Sequence, residues 1–131
     1  MFGNDRTRYH FITMNEDTMK ARTKAFALRV IKLTESLPAT RAADVIGKQL
    51  LRSATSVGAN YRASRRGKSR ADFIHKLAIV EEEADESAYW LELLAESGIV
   101  PPAKLADLMR EFDEITAIIV ASIRTAKARR D

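Results

Sequence analysis

Apolar residues in this chain recur every three or four positions, the spacing that places them on one side of an α-helix. The first helix is expected from Thr18 to Leu37, its buried stripe running through Ala27, Val30 or Ile31, Thr34 and Leu37 until Pro38 stops it. Thr40 is placed to cap a second helix reaching about Arg66, with Gly67 expected at the left-handed position that ends it. The stripe of that helix is Ala43, Ile46, Leu50, Ala54, Val57 and Tyr61. Ser69 and Asp72 form a variant capping box, and the third helix runs from there to Ser97, roughly 40 Å at about 1.5 Å per residue. Its seam is Phe73, Leu77, Val80, Ala84, Ser87, Leu91 and Leu94, and Gly98 supplies the stop. Pro101 and Pro102 open a fourth helix that buries Leu105, Leu108 or Met109, Phe112, Ile115, Ile119 and Ile123.

No stretch alternates with period two between turn signals, so strands are not expected. Short connections favour antiparallel neighbours, which makes the expected fold all-α, an up-down-up-down four-helix bundle over residues 18–131. Residues 1–17 carry Tyr9, Phe11, Ile12 and Met14 without a clear period. They are read as an N-terminal arm, either disordered or docked.

On the third helix a second apolar stripe lies roughly opposite the seam. It contains Ile79, Glu86, Trp90 and Leu93, with Tyr89 and His75 beside it. In a lone protomer this stripe would leave Ile79, Trp90 and Leu93 in water, an exposure that marks an interface with further copies of the chain. The bland alternative is that Trp90 and Leu93 roof the edge of the core against the first helix or the arm. The second helix carries Lys48, Arg52, Arg62 and Arg66 on its outer side, and Arg65, Lys68 and Arg70 extend that charge past its end. Three uses stand open for these cations: a solvated face favoured by the helix dipole, pairing with the acidic run Glu81 to Glu96 of another subunit, or contact with the phosphates of RNA or DNA. Ser53, Ala54, Ser56, Gly58 and Ala59 permit a close helix approach, which would offset the cost of about 1 kcal/mol for a glycine in mid-helix. Asn60 flanks the stripe, where it could cap a loop or bridge helices.

Composition adds bounds. The 131 residues suit one domain. There is no cysteine, hence no disulfide framework or thiolate metal site, which fits a reducing cytoplasm. No apolar run approaches the roughly 18 residues of a membrane span, and residues 1–17 lack a signal-peptide layout. A net charge of +4 permits polyanion binding without demanding it. A di-iron bundle needs two Glu-x-x-His helices, and only Asp72-x-x-His75 comes near that pattern. There is no Gly-rich phosphate loop, no histidine placed to activate a serine, and Glu82 and Glu86 sit on an outer face. No catalytic residue, cofactor, metal or small-molecule substrate is therefore expected.

Most of the chain, from Ser36 to about Ser122, resembles the four-helix bundle family also called the intervening-sequence or S23 ribosomal protein family. The match rests on Leu37-Pro38 after the first helix, on the segment Gln49 to Asn60 (QLLRSATSVGAN), on Lys68 to Ile74 (KSRADFI), and on Leu91 to Leu94 followed by Gly98. The chain departs from the family pattern at Tyr61 to Ser64 and at Glu82 to Glu86, changes that move charge to the surface. The resemblance implies a homopentameric ring and, for some members, genes lying inside sequences that interrupt ribosomal RNA genes. A similar bundle, the accessory variability determinant of diversity-generating retroelements, partners a reverse transcriptase and nucleic acid. By likeness, then, this chain is expected to be a non-enzymatic, self-associating binding or scaffold module, or alternatively an RNA/DNA-binding accessory protein.

Overall fold

The protein's structure, a computed structural model, describes the backbone of residues 2–129 and the side chains of residues 16–129. It is all-α, with helices α1 (Phe2–Glu35), α2 (Arg41–Ser64), α3 (Arg70–Glu96) and α4 (Pro102–Ala128), and no strand among the described residues. Consecutive helices pack on one another, and α4 returns to α1.

The helix ends follow from local chemistry. Thr40 accepts a hydrogen bond from the Ala43 amide at 3.2 Å, filling one of the four donors a helix start leaves open. Ser69 does the same for the Asp72 amide at 3.1 Å, and the Asp72 carboxylate accepts from the Lys68 amide at 3.1 Å. That backbone bond, assisted by Lys76, holds the half-buried Asp72 carboxyl below its ordinary range. Gly98 takes φ +80, a left-handed angle that any Cβ would resist, and it turns the chain so that Val100 donates back to the Leu94 carbonyl at 3.1 Å. Gly67 is a correction. It is not left-handed, and its value is space, because a Cβ there would lie 3.1 Å from the Ser64 carbonyl oxygen and 3.2 Å from the Phe73 nitrogen.

The first helix also differs from expectation. It does not begin at Thr18: Glu16 and Asp17, assigned above to an arm, lie within α1, and Glu16 pairs with Lys20 one turn on. No glycine or proline interrupts residues 4–35, so nothing in the chain ends the helix there. The side chains of Tyr9, Phe11, Ile12 and Met14 lie outside the described residues. The buried stripe of α1 is Met19, Thr23, Phe26 and Val30, one position off the Ala27 register, while Ile31, Thr34 and Leu37 are only half-buried. A one-residue slip rotates the face by 100°, and the larger Phe26 takes the interior.

The other three helices bury the residues their spacing indicates. Leu50, Ala54, Val57 and Tyr61 meet Leu77, Val80, Leu91 and Leu94, and Leu105, Leu108, Phe112, Ile115 and Ile119 close the cluster. Ile46, Phe73 and Met109 sit half-buried at its rim. Burial pushes the Tyr61 phenol up to about 12.

Two features explain how closely α2 approaches its neighbours. The Ser53 and Ser87 hydroxyls meet at 2.8 Å in the α2–α3 interface, and each also donates or can donate to a carbonyl of its own helix. On the other side Gly58 faces Thr23 of α1, where a Cβ would come within 3.3 Å of the threonine Oγ1. Close packing thus accounts for a glycine in mid-helix. Along α1 and α2 the neighbours are Glu16 with Arg65, Thr23 with Gly58, and Thr34 with Gly47.

Candidate interaction faces of the bundle

The basic residues of α2 are not one stripe of equivalent charges. Lys48 is exposed and pairs with Asp44 one turn back at 3.1 Å. Arg52 reaches across to α3, bonding Glu83 at 3.3 Å and also Glu86. Arg65 turns inward: it pairs with Glu16 at 3.2 Å and lies over the Phe73 ring at 5.1 Å. Burial works against the Glu16 charge, but hydrogen bonds from Lys20 and Arg65 outweigh it and hold the carboxyl below its ordinary range. Arg62, Arg66 and Lys68 are exposed and make no side-chain ion pair among the described residues, while Arg70 is exposed and has an interaction of its own. Arg62 joins Lys20 and Lys24 of α1 along a shallow groove floored by Thr55, Gly58 and Ala59. The structure therefore divides the seven cations: Arg52 and Arg65 serve helix seams, Lys48 pairs within α2, Arg70 is engaged, and Arg62, Arg66 and Lys68 make no side-chain ion pair among the described residues.

The outer stripe of α3 is likewise redistributed. Ile79, Trp90 and Leu93 are half-buried in the protomer rather than left in water, which corrects the expectation. Trp90 packs against the rim of the core with its indole N–H buried and without an acceptor among the described residues. The roof reading of Trp90 is thus partly realised. Tyr89 is the residue that stands out, 52% exposed, its ring edge-on to Trp90 with centroids 5.1 Å apart. Glu86, placed in the same stripe, is engaged by Arg52.

Spacing missed an exposed apolar residue on α2. Val45 is 54% exposed, so α2 and α3 each carry one of the three large apolar side chains exposed among the described residues. Asn60 is a smaller correction: its amide donates to the Ser56 carbonyl within α2, and among the described residues it bridges no helices.

Among the described residues no group of His, Cys, Asp and Glu is arranged to hold a metal ion, and His75 is exposed. No described helix is long and apolar enough to cross a membrane. An open hollow of about 450 Å³ lies at the α1–α2 turn between Leu37, Pro38, Thr40 and Gly47.

This arrangement can be set beside known proteins. Residues 16–121 match the family described as 23S rRNA-intervening sequence protein, a span that holds every helix contact described above but the last turns of α4. The chain belongs to that family. A solved structure of a protein of unknown function, from the S23 ribosomal protein family of Bacteroides thetaiotaomicron, is similar over 83% of this chain and 97% of its own. The two are 36% identical, with a TM-score of 0.78. Comparison with curated proteins returns no match.

Proposed function

We propose that this family member is a non-enzymatic, cytoplasmic scaffold or binding module that works by associating with copies of itself. The observation that carries this reading is the outer face of α3, where Tyr89 is exposed beside half-buried Ile79, Trp90 and Leu93. Exposed apolar side chains gathered on one face and ringed by charge are the usual composition of a protein interface. The up-down-up-down order of the helices is part of the proposal, supported by neighbours that run in opposite directions along α1 and α2. A pentameric ring is the assembly that the family resemblance favours.

Light scattering across a range of concentrations tests the reading, with a multiple of the protomer mass expected and a single protomer mass throughout ruling it out. Tyr89→Ala should weaken assembly while leaving the protomer folded. Trp90→Ala should weaken both, because its indole also covers the core rim.

A second reading, RNA or DNA contact, is supported by Arg62, Arg66 and Lys68, which are exposed and make no side-chain ion pair among the described residues. It predicts binding of single-stranded RNA that weakens steeply with salt. Absence of binding at low salt would end it.

A further inference from the structure

The exposed apolar residues of the described chain do not share one electrostatic setting. On α3, Tyr89 has Asp85 and Glu92 one turn to either side, and Glu82 and Glu96 two turns away, all but surrounding it with carboxylates. On α1, Leu28 is 53% exposed and has Lys24 and Lys32 one turn to either side, with half-buried Ile31 against it. None of these six flanking charges makes an ion pair among the described residues, in contrast to Arg22 and Arg52, which are engaged within the protomer. The spacings also correspond. Lys24 and Lys32 stand about 12 Å apart along their helix and Asp85 and Glu92 about 10 Å, at 1.5 Å per residue. One apolar knob between two cations therefore matches another between two anions.

Resting on the self-association reading above, we propose that the face around Tyr89 of one protomer docks on the α1 face around Leu28 of the next, head to tail. The alternative, a two-fold contact of the Tyr89 face with itself, would set Asp85 and Glu92 against their own copies, and like charges across an interface oppose association. Two different faces also leave one of each free at every step, so the contact propagates until the rotation closes a ring. Two turns from Leu28 stand Ala21 and Glu35, so the cationic setting of Leu28 rests on Lys24 and Lys32, with Glu35 beyond Lys32.

The chain has no cysteine, so introduced ones report without background. Leu28→Cys and Tyr89→Cys proteins, each checked by circular dichroism for unchanged helicity, are to be mixed and treated with a short bis-maleimide. A cross-linked pair in the mixture, absent from either protein alone, is the expected result. Cross-linking of Tyr89→Cys with itself, or no cross-link in a sample whose scattering mass is still oligomeric, overturns the head-to-tail assignment and leaves self-association intact. A protomer mass for the unaltered protein instead removes the self-association reading, and this inference with it. An independent arm reverses charge. Lys24→Glu/Lys32→Glu and Asp85→Lys/Glu92→Lys should each lose assembly at a concentration where the parent is assembled, and their mixture should recover it. Failure of the mixture to recover, with both variants folded, also overturns the pairing of these faces.

Discussion

The α2–α3 seam and the α1–α4 seam solve the same problem with different materials. Between α2 and α3 the buried part of the contact is hydrocarbon plus one hydroxyl pair: Leu50, Ala54 and Val57 with Val80, Ala84 and Leu91, and Ser53 with Ser87 at 2.8 Å, while the Arg52 pairs with Glu83 and Glu86 stay at the partly solvated outer edge. Between α1 and α4 a charge cluster holds the edge. Arg22 donates through Nε to Glu111 at 2.7 Å and through its terminal nitrogen to Glu114 at 2.5 Å. These carboxylates raise the guanidinium pKa, although burial works against it. Small residues bring the first pair of helices close enough for dispersion and dry hydroxyls to suffice. A long arginine spans the second pair from a partly solvated position, where charge is screened and contributes less.

If that distinction is right, mutations should separate the seams by size and by salt dependence. Leu91→Ala, fully buried, should lower unfolding stability by about 2–5 kcal/mol in urea titrations, equally at low and high salt. A loss below about 1 kcal/mol would show that the α2–α3 seam collapses around the gap. Ser53→Ala should cost about 1 kcal/mol by removing one of two paired buried hydroxyls, while Ser53→Ala with Ser87→Ala should cost less than twice that. Strict additivity in the double-mutant cycle would deny the pairing. Arg22→Met should cost roughly 0–1 kcal/mol at low salt, and the difference should fade near 1 M NaCl. A salt-independent loss would assign Arg22 to packing.

The smallest expected effect is the one that depends on pH. The Glu16 carboxyl is held below its usual value of 4.5, so its contribution is present above that pH and lost as pH falls through the lowered value. Glu16→Gln should therefore lower the midpoint of thermal unfolding slightly at pH 6 and make no difference at pH 2. An unchanged gap at the lower pH would mean that the glutamate acts by shape.

The candidate interaction face shows where spacing along one helix runs out. Periodicity placed Leu77, Leu91 and Ile119 in the interior because each sits on a strongly apolar arc, and caps at Thr40, Ser69 and Gly98 follow from chemistry within four residues. It misplaced the face of α1 by one residue because Ala27, Ile31 and Leu28 spread apolar character around that helix. It treated Arg52 and Arg65 as surface cations, since nothing local reveals that Glu83, Glu86 and Glu16 lie within reach across a seam. It passed over Val45, because which apolar residue of α2 stays exposed depends on how the helices pack.

The chain by itself determined that it forms four helices, where α2, α3 and α4 start and stop, and which side of each of these three is buried. Propensity, capping and a 3.6-residue period are local, and these residues obey them without conflict. Which charges are neutralised, which glycine is needed for contact rather than for a turn, and which apolar residues remain exposed were decided only when the helices packed. Those outcomes depend on distances between residues far apart in the chain, and no local rule contains them.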